Sequence, residues 1–238
     1  IRVPVMLFTG FLESGKTKFI QETLEDKRFN NKERTLLIVC EEGIEEYEPQ
    51  KFSGKNVFIK VIENEEDLTQ KLLEEMAKET KPDRAIVEYN GMWMLDTLYG
   101  ALPKDWAVVQ EMMFADANTI ESYNANMRNL VYDKMSSCEL VIFNRCKKDA
   151  DKNALHKLVR AISRKTDIAY EYTDGTAEYD DIVDPLPFDL NADVVEIADR
   201  DYALWYRDTT EDMNKYDGKT KLSFFYIRIQ VLINIVSL

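Results

Sequence analysis

Apolar runs and helically spaced apolar positions alternate along most of this chain. The first run (Val3, Val5, Met6, Leu7, Phe8) reads as a buried strand, and Phe19, Ile20, Thr23 and Leu24 follow at helical spacing. Thr35–Val39 is a second, wholly apolar strand, and 56–62 (NVFIKVI) is a third. Leu68, Leu72, Leu73 and Met76 form one stripe, so the spacing predicts an amphipathic helix over 65–80, ended by Pro82. Further strands are predicted over 84–87, 106–114, 139–143 and 168–172, with helices over 120–137 and 152–165. Asn118 or Thr119 would cap the first of these helices. Continuous apolar strands alternating with helices predict the α/β class: a mostly parallel sheet with helices on both faces. Each strand ends in a polar cluster, and parallel sheets bind ligands at that edge.

The composition changes near Asp184-Pro-Leu-Pro187, which divides the chain into 1–185 and a smaller segment, 186–238. In that segment 194–197 reads as a strand and 202–207 as a short helix, with Tyr202, Trp205 and Tyr206 read as packing residues. The stretch 222–238 has no acidic residue and is expected to form one or two strands of an incomplete, truncated or altered end. Arg228, Gln230 and Asn234 interrupt a run already at the short limit, which argues against a membrane span. The chain begins with Ile, and a missing natural start is the expectation.

Charge narrows the class of partner. Lys+Arg 31 against Asp+Glu 44 gives a formal net charge of −13, which argues against a nucleic-acid or anionic-membrane surface. Cys40, Cys138 and Cys146 are too scattered for a disulfide framework or a zinc knuckle, and a reducing, cytoplasmic setting is expected. Cys138 and Cys146 read as core thiols, and the lone His156 as a surface or boundary residue.

The chemistry is concentrated after the first strand. Gly10-Phe-Leu-Glu-Ser-Gly15-Lys16-Thr17 fits G-x-x-x-x-G-K-[ST] between a strand and a helix, the P-loop arrangement. Such a loop turns backbone N–H groups toward phosphates at a helix N-terminus. Gly10, Glu13, Ser14, Gly15, Lys16, Thr17 and Lys18 are therefore candidate nucleotide-binding residues. Lys16 would reach the β- and γ-phosphate oxygens, and Thr17 would hold Mg²⁺. Glu88, ending the fourth strand, is the candidate second Mg²⁺ residue, with Lys16 and Glu88 carrying catalysis and Glu41 a further Mg²⁺ candidate. Gly91 could let backbone approach the γ-phosphate, and Asn144 could tie a base-binding loop to the P-loop.

These clusters, in this order, resemble the CobW-type GTPases, relatives of the urease and hydrogenase nickel chaperones. The matching features are VPV…TGFLESGKT, Cys40-Glu41-Glu42-Gly43 for an Asn-Glu-x-Gly stretch, Glu88-x-x-Gly91 for Glu-Thr-x-Gly, Asp116-Ala117, and Asn144-Arg145 for Asn-Lys-x-Asp. The resemblance spans roughly 3–172 and implies GTP binding, slow Mg²⁺-dependent hydrolysis, and delivery of a metal such as zinc or cobalt to a metalloprotein client. Arg145 enters the base-binding set on this ground, and a homodimer is a further expected partner. Where many relatives carry Cys-x-Cys-Cys, this chain has only Cys40, the candidate transition-metal ligand. Lys147 stands where the guanine-reading Asp is usual, with Asp149 two residues late, and Glu13 replaces a common glycine. A nucleotide-dependent switch or scaffold that carries no metal is the alternative function, and an ATP-dependent enzyme stays open.

Overall fold

The computed structural model describes residues 3–41, 43, 45–212, 216 and 220–223. The chain divides into two compact units, Ile1–Asp180 and Asp181–Leu238. Unit 1 runs β1 (Val3–Gly10), α1 (Lys16–Glu25), β2 (Thr35–Val39), β3 (Val57–Val61), α2 (Gln70–Thr80), β4 (Arg84–Glu88), α3 (Leu95–Ala101), β5 (Trp106–Asp116), α4 (Ile120–Asn126), α5 (Arg128–Ser137), β6 (Leu140–Cys146), α6 (Lys152–Arg160), β7 (Asp167–Tyr172) and β8 (Ala177–Tyr179).

These strands form one eight-stranded sheet in the order β3-β2-β4-β1-β5-β6-β7-β8. Every pairing is parallel except β7 with β8. β1 therefore lies inside the sheet, flanked by β4 and β5, and its loop opens among neighbouring strand ends. Alternation along β1 sorts the core: Val5 and Leu7 pack with α2 and α3, whereas Phe8 packs on the opposite face with Ile20 and Leu24 of α1. A second cluster on the α2 side joins Met113, Val141 and Phe143 to Val131 and Met135 of α5 and Leu155 and Val159 of α6. Helices thus cover both faces, as the apolar pattern predicts.

Several boundaries differ from the sequence expectation. Residues 65–67 form a 3₁₀ turn, and α2 begins only after Thr69, whose Oγ1 accepts the Leu72 N–H at 3.3 Å. The helix expected over 120–137 breaks at Met127, whose φ of −134° and ψ of 44° are non-helical. Thr119 is its N-cap residue, without a side-chain cap bond. The helix expected to reach Lys165 stops at Arg160, whose guanidinium turns to the Thr166 carbonyl at 2.7 Å. The short helix α3 and the edge strand β8 carry too little periodicity to be read from sequence.

Buried polar groups tie elements to the sheet. Glu111 in β5 accepts from Tyr99 of α3 at 2.7 Å and Ser137 of α5 at 2.8 Å. His156 is buried rather than at the surface: its Nδ1 lies 2.7 Å from Asp180, which also accepts the Tyr170 hydroxyl at 2.7 Å. Cys138 and Cys146 are core thiols.

Within unit 2, β9 (Val195–Ala198), α7 (Tyr202–Glu211) and β10 (Thr220–Ser223) form a parallel strand–helix–strand motif. Val195, Ile197 and Tyr216 are its core, with Tyr202 and Trp205 packed against them. The strands expected over 222–238 lie outside the described residues beyond Ser223. Among the described residues, no helix is long and apolar enough to cross a membrane.

Ile20 is fully buried between α1 and the sheet. Ile20→Ala should lower unfolding stability by about 2–5 kcal/mol, read as a lower denaturant midpoint with an unchanged slope.

Candidate functional site

The loop between β1 and α1 is shaped by two glycines at positive φ. Gly10 has φ 132°, and a Cβ there would lie 2.1 Å from the Phe114 carbonyl oxygen. Gly15 has φ 94°, and a Cβ there would lie 2.1 Å from Asn144 Nδ2. Neither position admits a side chain. Glu13 also adopts a left-handed conformation, φ 58°, where a glycine would be unstrained. Ser14 Oγ is buried without a hydrogen-bond partner, and among the described residues so is Asn144 Oδ1. An orphaned hydroxyl inside a loop of this form fits a phosphate acceptor.

Lys16 is 2% exposed at the start of α1. Its ammonium donates to the carbonyls of Gly10 at 2.8 Å and Phe11 at 2.9 Å, and to Glu41 Oε2 at 2.6 Å. Glu41 Oε1 accepts the backbone N–H of Gly91 at 3.2 Å. The sequence grouped Glu41 with Thr17 and Glu88; here it faces Lys16 and Gly91 instead.

Thr17 and Glu88 do meet. The Thr17 hydroxyl donates to Glu88 Oε1 at 2.6 Å, and the Tyr47 hydroxyl donates to Oε2 at 2.6 Å. Burial pushes the Glu88 carboxyl above its ordinary range, against these two hydroxyls and nearby Lys16, which pull it down. A hydroxyl and a carboxylate in contact are hard oxygen donors, the set that suits Mg²⁺. Tyr47 escaped the sequence reading because its loop carries acidic rather than apolar patterning.

Gly91 lies against the P-loop: a Cβ there would meet the Gly10 carbonyl oxygen at 2.6 Å and Phe11 Cα at 2.7 Å. The segment after it is fastened to α5. Buried Lys134 donates to the Trp93 carbonyl at 2.9 Å, and Asp133 accepts the Leu95 N–H at 3.0 Å. Burial lowers the Lys134 pKa, and Asp133 opposes that shift.

Asn144, near the end of β6, donates through Nδ2 to the Ser14 carbonyl and so links β6 to the P-loop. Arg145 has φ 53° and pairs with Asp116 at 3.0 Å. A cavity of about 160 Å³ is lined by Leu12, Glu13, Ser14, Gly15, Lys16, Thr17, Glu41, Glu88 and Arg145, among others. A second, of about 470 Å³, adjoins Gly15, Lys18, Asn144 and Arg145 and is lined also by Glu171 and Asp174. Lys18 turns to Glu171 at 3.1 Å. Lys147 and Asp149 line a separate cavity with Asn118 and Glu121. Glu171 and Asp174 went unremarked in the sequence because they follow no motif spacing.

Cys40 is buried, and its thiol is pushed up to about 12 by desolvation and by the Glu88 and Glu41 carboxylates. A neutral thiol is a poor metal ligand. Among the described residues, no group of three or more His, Cys, Asp or Glu is arranged to hold a metal ion.

The family model described as the CobW/HypB/UreG nucleotide-binding domain matches residues 4–170. The fold is similar to Zn(II)-bound YjiA GTPase from E. coli, at 17% identity and TM-score 0.50, over 71% of this chain and 57% of that one. It is also similar to hydrogenase maturation factor HypB from Archaeoglobus fulgidus, at 13% identity and TM-score 0.50, over 72% of this chain and 82% of that one. At these identities the likeness is one of fold, and the matched region spans little more than half of YjiA. No curated protein sequence matches significantly.

The backbone contact at Gly91 leaves no room for a methyl group. Gly91→Ala should push the segment after β4 off the P-loop and weaken nucleotide binding about tenfold or more, as measured by calorimetry alongside a melting curve that verifies folding.

Proposed function

The chain belongs to the CobW/HypB/UreG nucleotide-binding family, and on that premise we propose that it binds GTP with Mg²⁺ and hydrolyses it slowly, acting as a nucleotide-dependent switch. The observation that carries this reading is the pairing of a P-loop threonine with a strand-end glutamate, Thr17 Oγ1 to Glu88 Oε1, 2.6 Å apart beside the phosphate loop.

Thr17 and Glu88 would hold Mg²⁺, which when bound neutralises charge on the phosphate oxygens. Lys16, moving from the carbonyls of Gly10 and Phe11, would place its ammonium on the transferring phosphoryl group. The N–H groups of the loop and of Gly91 would stabilise charge that develops on its oxygens. Glu88, held on both oxygens by hydroxyls, would orient the attacking water. Positioning and charge stabilisation would then do the work without a dedicated base, which makes turnover slow. Glu171 and Asp174 supply carboxylates beside Gly15 and Asn144 that could accept the guanine N1 and N2 hydrogens. This supports GTP over ATP even though Lys147 and Asp149 line a different cavity.

Metal insertion or metal homeostasis, with zinc or cobalt as cargo for a metalloprotein client, is the second reading. Family membership supports it. The geometry supports the switch more directly, since cargo binding at Cys40 requires a buried thiol to lose its proton.

Calorimetric titration with GTP and ATP in Mg²⁺, repeated with Zn²⁺ or Co²⁺ and with Cys40→Ser, tests both readings. Tighter GTP binding indifferent to the second metal is the expected result. A metal response lost in Cys40→Ser would favour the cargo reading, and preferred ATP would overturn GTP selectivity. Lys16→Ala should abolish nucleotide binding, whereas Glu88→Gln should bind nucleotide and fail to hydrolyse it.

The pH dependence follows from Glu88. Its carboxyl must be ionised to act, and its pKa in the fold lies above the ordinary 4.5. In kcat/KM for Mg²⁺–GTP, which reports ionisation of the free protein, hydrolysis should therefore rise with pH along a limb above the ordinary carboxylate value, whereas in kcat a bound Mg²⁺ would draw that limb down. A pH profile of kcat/KM on the parent protein measures it; the absence of an acid limb there would remove Glu88 from this role.

A further inference from the structure

We infer that Glu41 sets the preference of the site between nucleoside diphosphate and triphosphate, because its carboxylate occupies the donors that a terminal phosphate would need. The inference rests on the P-loop reading above and deepens it.

Lys16 Nζ and Gly91 N–H come from two different loops, and both are groups that would recognise a γ-phosphate. One side chain takes both: Glu41 Oε2 lies 2.6 Å from Lys16 Nζ, and Oε1 lies 3.2 Å from Gly91 N. A carboxylate resembles one edge of a phosphate, with two anionic oxygens at a fixed separation. The pair is also well shielded, with side-chain exposures of 2% for Lys16 and 10% for Glu41, so water screens it little.

The chain holds Glu41 there from both sides. Cys40 N donates to the Glu88 carbonyl at 2.8 Å, and Asn90 Nδ2 donates to the Cys40 carbonyl at 3.1 Å. Farther along, Tyr47 is fixed to Glu88. Between these anchors Glu41 projects into the cavity that Gly15, Lys16 and Thr17 line.

Two anions cannot share these donors without strong repulsion. A nucleoside diphosphate takes one of the three Lys16 donors through its β-phosphate and leaves Glu41 another, with the Gly91 N–H. A triphosphate must expel it, and only molecules with Glu41 swung away bind. The apparent triphosphate affinity is the intrinsic affinity multiplied by the fraction of molecules in that open state. When the terminal phosphate departs after hydrolysis, the carboxylate returns to Lys16 and Gly91. Glu41 is thus an intramolecular competitor of the γ-phosphate, and its carboxylate changes position with the phosphate count.

The test compares GDP and a non-hydrolysable GTP analogue, each with Mg²⁺, by calorimetry on the parent chain, Glu41→Gln, Glu41→Asp and Lys16→Ala. Glu41→Gln should bind the analogue about tenfold tighter while GDP changes less than about twofold. Glu41→Asp keeps the charge but is one methylene too short to span both donors, and should fall between. An unchanged ratio of the two affinities, or weaker analogue binding as expected of a lost Mg²⁺ ligand, would overturn the inference. Lys16→Ala separates this from the underlying reading. If that variant binds both nucleotides as the parent does, the P-loop reading fails; if it binds neither and Glu41→Gln leaves the ratio unchanged, only the role of Glu41 fails.

Discussion

The carboxyl edge of the sheet depends on two stretches of backbone lying in contact, the turn after β1 and the turn after β4. The parallel pairing of these strands puts Phe8 level with Glu88. The absence of a side chain at Gly91 lets the two turns approach until an added methyl would collide with main-chain atoms of Gly10 and Phe11. From this contact the remaining geometry follows. Thr17, in the first turn of α1, lies within reach of Glu88, and Gly91 N–H points at the same space as Lys16. Cys40 and Glu41 arrive beside both because β2 is the other neighbour of β4.

Polar groups are buried here at a cost that packing alone would not justify. Glu88 is raised by desolvation, Lys134 is lowered by it, and Tyr47 is held neutral with its hydroxyl committed to Glu88. Each has a partner within hydrogen-bond distance, so none of the three is left without a hydrogen bond. A domain built only for stability would fill these positions with apolar side chains.

Much of this arrangement was legible in the sequence, and the exceptions have physical causes. β1, β2 and β4 are continuous apolar runs because both of their faces are covered, and the P-loop is a spacing rule that survives without any neighbour in view. Helix ends were harder to read. The break at Met127 comes from one residue's backbone conformation, and the stop at Arg160 from a side chain reaching a carbonyl six residues on. The partners of Glu41, Tyr47 and His156 lie far along the chain, and no local pattern announces a contact made through the sheet. Glu41 shows the difference most clearly: its neighbourhood was foreseeable, but the cation and N–H that it faces were not.

The contact between Asn144 and the Ser14 carbonyl carries a consequence for anyone redesigning this domain. The side chain that borders the larger cavity also bears on the turn that would cradle phosphate. On the proposed reading of that cavity as the base site, base selectivity and phosphate affinity are coupled. A library varied at the end of β6 to recognise a different base would shift the frame of Gly15 at every step, so selection for a new letter would be paid in grip on the phosphates unless both loops were varied together.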